Sequence, residues 1–206
     1  MLSHQHKTIF IHVPKTAGQS IETLFLDDLG LKWDQRGSLL LRRNTNRTLA
    51  PPRLAHLTIA EYLTCGHTSR PKFDIYFKFC FVRNPWDRAV SMYKYLTKGR
   101  MSFANFMTAG PGNPKSKLAD FFKPQTAYIL DPNKRVKADF IGRFETLEQD
   151  INHVINRLRL DAELKHINPS RTISNTTKYR DFYCQKTRAF VEKIYASDIE
   201  SFNYTY

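Results

Sequence analysis

A chain of 206 residues with 41% hydrophobic residues, 15 Phe and 10 Tyr among them, supports a sizeable core, and one domain spanning 1–206 is expected. Its 32 Lys and Arg against 19 Asp and Glu leave a formal +13, a surface that attracts polyanions: nucleic acid, acidic lipid, acidic polysaccharide or a multiply phosphorylated cofactor. Three widely spaced cysteines without a CxxC pair disfavour a disulfide framework and a zinc site. No stretch approaches the ~18 apolar residues of a membrane span, and MLSHQHK lacks the apolar region of a signal peptide. These features point to a cytoplasmic protein, or to one whose N-terminal anchor has been removed.

TIFIHV (8–13) reads as a buried strand, and VPKTAGQS (13–20) as the loop after it. SIETLFLDDLG (20–30) carries apolar residues at 21, 24, 25 and 29, one face of a helix that Gly30 stops. Residues 31–55 are polar and basic and predict a long irregular loop; HLTIAEYL (56–63) predicts a short helix. YFKFCFV (76–82) is a second strand, with Cys80 as a small buried hydrophobe. NPWDRAVSMYKYL (84–96) is a helix that Asn84 caps and Pro85 opens. Residues 97–117, with GPGNPK, read as a loop, and 116–130 are mixed. DFIGRF within 137–145 is a third strand. Residues 146–160 form an amphipathic helix with Leu147, Ile151, Val154, Ile155 and Leu158 on one face. Residues 166–181 read as a polar loop. Residues 182–204 read as a final helix with Phe182, Phe190, Val191, Ile194 and Tyr195 as its apolar side. Strands alternating with helices predict one α/β domain with a mostly parallel sheet.

A strand–loop–helix turn gathers backbone N–H groups and the helix dipole at one point, which binds anions. In PKTAGQS, Gly18 permits close approach of a phosphate, Lys15 adds a positive charge, and Thr16 and Ser20 add hydroxyls. The pattern departs from the nucleotide P-loop GxxxxGK[ST]: the lysine comes first, and no GK[ST] occurs anywhere. Arg83 stands at the C-terminal end of the second strand, where ligands of open α/β sheets sit, and its guanidinium can fork onto a phosphate. Ser91 lies eight residues on, in the following helix. The plainer alternative is an Arg83–Asp87 ion pair with an incidental serine.

PKTAGQS followed by FVRNPWDRAVSMY resembles the cofactor-binding motif pair of the sulfotransferases that use 3′-phosphoadenosine 5′-phosphosulfate (PAPS). The branch it most resembles is the family-2 carbohydrate sulfotransferases, of the heparan 2-O-sulfotransferase type. HLT (56–58), DFIGRFETLEQD (139–150) and VEKIYASDIESFNY (191–204) extend the likeness along the chain. The resemblance implies a three-layer P-loop-like α/β fold. It implies that Lys15, Thr16, Ala17, Gly18, Gln19 and Ser20 wrap the 5′-phosphosulfate, with Lys15 at the bridging oxygen. It implies that Arg83 and Ser91 hold the 3′-phosphate, which distinguishes PAPS from ATP. No metal is implied.

Sulfuryl transfer also needs a base for the acceptor hydroxyl. His56, between the two motifs where the family carries a catalytic histidine, is the leading candidate; His67 and Glu22 are alternatives, and His12 reads as structural. The resemblance also implies a late loop that closes over the nucleotide, for which Arg171, Ser174 and Lys178, in 170–181, are candidates; Arg143 reads as pairing with a carboxylate. The acceptor is expected to be a carbohydrate, and the basic stretches suit an anionic glycan. The competing classes are a P-loop phosphotransferase, which lacks its metal-binding hydroxyl after the lysine and its strand-end Asp here, and a non-catalytic basic module that binds polyanions.

Overall fold

The computed structural model describes residues 1–44, 53–110, 119–131, 133, 135–165 and 178–206. In chain order its elements are β1 (Leu2–Ser3), β2 (Thr8–Ile11), α1 (Gly18–Asp28), α2 (Glu61–Thr64), α3 (Arg70–Ile75), β3 (Phe77–Val82), α4 (Pro85–Thr97), α5 (Phe103–Ala109), α6 (Ala119–Phe122), α7 (Thr126–Ile129), β4 (Phe140–Arg143), α8 (Leu147–Leu158), α9 (Gln185–Ile194) and α10 (Ala196–Phe202). The strands form one sheet in the order β1-β2-β3-β4. β2, β3 and β4 run parallel, with Phe10 opposite Phe79 and Cys80 opposite Ile141, and the two-residue β1 is antiparallel at the edge. This is the α/β class with a mostly parallel sheet and surrounding helices that the sequence predicts. Among the described residues no helix is long and apolar enough to cross a membrane.

The chain divides into two compact units: Met1–Val82 with Ala127–Ile167, and Arg83–Thr126 with Asn168–Tyr206. The first unit holds the sheet. Parallel strands are buried on both faces, so they are written as continuous apolar runs. Phe10, Phe79 and Phe81 join Ile21, Leu24 and Phe25 of α1 and Ile151 and Val154 of α8 in one core cluster. The Phe10 and Phe79 rings stack with centroids 4.9 Å apart. Ile9, Ile11, Cys80 and Val82 alternate to the opposite face and are equally buried. Gly142 pairs with Phe81 across β3 and β4, and a Cβ there would lie 2.5 Å from the Phe81 ring. The glycine is what lets the ring lie over the neighbouring strand. Lys78 is buried at the start of β3, and its Nζ is answered by the carbonyls of Phe73 (3.1 Å) and Tyr76 (2.5 Å) and by Asp139 (3.1 Å).

The second unit is helical, built around α4. Asn84 caps that helix as expected, its Oδ1 accepting from the N–H of Trp86 (3.1 Å) and Asp87 (3.4 Å), with Pro85 at the first position. α5 corrects the expectation of a loop over 97–117. Ser102 accepts from the Asn105 N–H, and Phe103, Phe106 and Met107 bury one face. The predicted helix over 182–204 is two helices, α9 and α10, meeting at the buried Tyr195, while Phe182 ends a 3₁₀ turn (Tyr179–Phe182). The helix expected over 56–63 is instead a 3₁₀ turn, Leu54–His56, and the short α2. The expected 31–55 loop contains a 3₁₀ turn, Trp33–Leu39, and 45–52 lie outside the described residues.

Replacing Phe79 by Ala removes the ring that stacks on Phe10, Phe25 and Phe77. A loss of about 3–5 kcal/mol is expected, measured as a lower midpoint in urea at unchanged slope.

Candidate active-site loop and its supports

Residues 12–17 connect β2 to α1, and the backbone there is bent. Lys15 (φ 71°) and Ala17 (φ 67°) are both left-handed, a conformation that costs a non-glycine residue on the order of 1–2 kcal/mol. Ala17 directly precedes α1 and supplies no side-chain cap, so the helix N-terminus with its partial positive charge opens onto the loop. Lys15 is half-buried, Gln19 exposed and Ser20 buried. Thr16 is fully buried, and its Oγ1 donates to the Val13 carbonyl at 2.9 Å. Its hydroxyl proton therefore closes the loop on itself, and the backbone is what Thr16 can offer a ligand.

Gly18 does not sit at positive φ. The local reason for a glycine is His12: a Cβ at 18 would lie 1.9 Å from His12 Nε2. The sequence reads His12 as a strand residue with a structural part. It stands one position past β2, buried, with Nδ1 2.5 Å from Glu22 Oε1. A carboxylate only accepts, so Nδ1 carries the proton. Glu22, an alternative base by sequence, is 4% exposed and engaged by His12.

His56 ends the 3₁₀ turn Leu54–His56 and is partly buried. Its Nδ1 lies 3.0 Å from the His12 carbonyl oxygen, which can only accept. Nδ1 is therefore the protonated nitrogen, and Nε2 holds the lone pair. The His12 and His56 rings meet edge to face, with centroids 4.3 Å apart. Loss of water around the cation holds the His56 pKa well below the ordinary 6.5. The His12 charge and Arg53 push the same way, against the hydrogen bond to the carbonyl. His56 is thus neutral at physiological pH, the state that takes a proton. His67, the other candidate base, follows α2, and its backbone N–H donates to the Tyr62 carbonyl. Its Nε2 is buried and has no hydrogen-bond partner among the described residues. Burial, then the Arg42 charge, lowers its pKa.

In the second unit, Arg83 does make the ion pair named as the plainer alternative, its Nε 2.8 Å from Asp87 Oδ2. The buried Gln125 grips the Arg83 backbone from both sides, accepting from its N–H and donating to its carbonyl, each at 2.8 Å. Gln125 is held in turn by the fully buried Asp198 of α10. Its carboxylate accepts from the N–H of Gln125 (2.8 Å), the N–H of Thr126 (2.9 Å) and the Thr126 hydroxyl (3.0 Å). Ser91 lies half-buried on α4. Arg88 is fully buried and braces the helix, its Nη2 donating to the carbonyls of Phe121 (3.2 Å) and Lys123 (3.1 Å).

Gln125 and Asp198 carry no sequence signal as site supports, since they lie 42 and 115 residues from Arg83 in the chain. His12 had one: the position immediately before VPKT. The Arg143 backbone N–H donates to Asp150 (2.7 Å). Arg171 and Ser174 lie outside the described residues, and Lys178 is exposed, its N–H on Asp181.

The model of the Sulfotransferase family matches residues 1–205. Carbohydrate sulfotransferase 11 of Rattus norvegicus is 24% identical over 245 aligned positions, which take in 100% of this chain and 66% of that protein. Carbohydrate sulfotransferase 10 of Rattus norvegicus is 24% identical over 65% of this chain and 48% of that protein. An uncharacterized protein of Archaeoglobus fulgidus is 34% identical over 96 residues, 45% of this chain and 75% of its own. The chain therefore spans about half to two thirds of the carbohydrate sulfotransferases it matches. No solved structure matches.

Two substitutions test these supports. Gly18→Ala drives a methyl into the His12 ring, so the melting temperature should fall and the His12–Glu22 contact should break, seen in the histidine ring NMR signals. Asp198→Ala leaves the buried N–H groups of Gln125 and Thr126 without an acceptor, a loss of about 2–5 kcal/mol read by chemical denaturation.

Proposed function

Because the chain belongs to the Sulfotransferase family, we propose that it moves a sulfuryl group from PAPS to a hydroxyl of a carbohydrate. The observation that carries this reading is the loop after β2. Two non-glycine residues are held left-handed there, one of them Lys15, and the turn ends at a helix N-terminus without a side-chain cap. Strain of that kind persists where the surroundings enforce it, and it gathers at ligand sites.

In this reading PAPS supplies the sulfuryl group. Lys15 and the α1 N-terminus meet the charge that builds on the 5′-phosphate oxygen as the S–O bond breaks. Thr16, Ala17, Gly18, Gln19 and Ser20 contribute backbone and side-chain contacts around the same phosphosulfate. Arg83 and Ser91 take the 3′-phosphate, for which a guanidinium fork is suited. His56 Nε2 receives the acceptor's hydroxyl proton as the acceptor oxygen bonds to sulfur. The products are a sulfate ester and 3′-phosphoadenosine 5′-phosphate. The names of the two carbohydrate sulfotransferases support a sugar acceptor. The charge of +13, and the resemblance to the heparan 2-O-sulfotransferase branch, favour an anionic glycan.

The first test is thermal stabilisation by 3′-phosphoadenosine 5′-phosphate beside ADP and ATP–Mg²⁺. At a hundredfold excess over Kd, a rise of about 5–10 °C is expected with the 3′-phosphorylated nucleotide. ADP should give little, and Lys15→Ala and Arg83→Ala should both reduce the rise. Equal shifts with ATP–Mg²⁺ would favour a phosphotransferase, and no shift with any nucleotide would end the reading. The base is tested by the pH dependence of labelled-sulfate transfer from PAPS to a glycan panel. His56 acts when neutral and its pKa is lowered, so kcat/KM should hold its plateau down through pH 6.5 and fall only at lower pH. His56→Ala should lower kcat by about 10²–10⁴-fold.

A further inference from the structure

One side chain reaches both the phosphate-loop turn and the candidate base. His12 contacts Gly18 through its Nε2 edge, Glu22 through Nδ1, and His56 through its ring and its carbonyl oxygen. Nothing in the proposed chemistry uses Glu22 or the His12 ring directly. Yet both are buried, and a carboxylate sheltered in a core needs a specific partner to be tolerated.

We propose that Glu22 and His12 are positioning residues: the Glu22 carboxylate anchors the His12 ring beneath the turn at 15–18, and the His12 carbonyl holds His56 with its proton on Nδ1 and its lone pair on Nε2. The chain of contacts runs Glu22 Oε1 to His12 Nδ1 (2.5 Å), then His12 O to His56 Nδ1 (3.0 Å). The first contact fixes the imidazole plane. That ring fills the space where a Cβ at position 18 would stand, so it supports the turn that places Lys15. The second contact selects one of two His56 tautomers. With the other tautomer, Nε2 would bear a proton and could not take one from a hydroxyl. The Phe10 ring lies nearly parallel to that of His12, with centroids 5.7 Å apart. Glu22 and His12 act through His56 and the loop, and their bonding partners lie within the protein.

The inference rests on the sulfotransferase reading for its purpose, but its central measurement needs neither donor nor acceptor. Histidine ring ¹⁵N–¹H correlation spectra of the whole chain give the tautomers directly. In the wild type, His12 and His56 should both be protonated at Nδ1, with the His56 Nε2 signal that of a lone-pair nitrogen. In Glu22→Ala, His56 should populate both tautomers. Its kcat for transfer of labelled sulfate from PAPS to heparan chains should drop by about 10²-fold, with the dissociation constant for 3′-phosphoadenosine 5′-phosphate within about threefold. Glu22→Gln retains an acceptor for Nδ1–H and should recover most of the kcat and the single tautomer. If Glu22→Ala does not fold, Glu22→Gln still decides: its weaker neutral acceptor should move the His12 Nδ1–H signal and the His56 signal together. A wild-type His56 protonated at Nε2 overturns the inference. So does a His56 spectrum that stays unchanged in both Glu22 variants. Absence of sulfate transfer by the wild type, beside the expected tautomers, would count against the sulfotransferase reading and leave the positioning chain standing.

Discussion

The bond between Glu22 and His12 links the end of a strand to the second turn of the helix after it. With those two residues joined, the intervening backbone must reverse within a few positions, and the left-handed Lys15 and Ala17 are how it does so. Thr16 closes the same turn from inside through the Val13 carbonyl. The core makes this affordable: Phe10, one turn of the pleat before His12, is locked in the Phe cluster, and Ile21, Leu24 and Phe25 seat α1 on the same cluster. The strain of the loop is therefore borne by apolar burial on both sides of it, and the loop can keep a shape that its own residues would not choose.

A buried carboxylate organises the second unit as well. Asp198 is fully enclosed, and three donors from Gln125 and Thr126 answer it. Gln125 in turn takes both backbone groups of Arg83. The effect is to fix where the Arg83 backbone runs while leaving its guanidinium to side-chain partners such as Asp87.

Local pattern decided what could be read from the sequence. β2, β3 and β4 were legible as short apolar runs, α1 and α8 by their helical spacing, and α4 by its cap, Asn84 with Pro85. β1 has two residues and no period to show. α5 was hidden by the glycine and proline residues that follow it, although Ser102 and the spacing of Phe103, Phe106 and Met107 mark it. The break at Tyr195 lies inside one continuous amphipathic stretch, so only packing reveals it. Lys15, Gly18 and Arg83 stood out by motif. The reasons they are held did not: His12 and Glu22 each have an ordinary reading alone, and Asp198 meets Gln125 across 73 residues. Even Gly18 was legible as a necessary glycine for a reason different from the local one, which is room for an imidazole.

The three thiols of this chain differ sharply in setting. Cys184 is exposed, and hydrogen bonds from Thr187 lower its pKa; Cys65 is intermediate; Cys80 is buried in β3, between β2 and β4, where loss of water raises its pKa well above the ordinary thiol value. Only the thiolate reacts with an alkylating reagent. Cys184 is therefore expected to react in the native molecule, and Cys80 only when the middle of the sheet separates. The rate at which Cys80 takes up label is a clock for that opening, read without introducing a new cysteine.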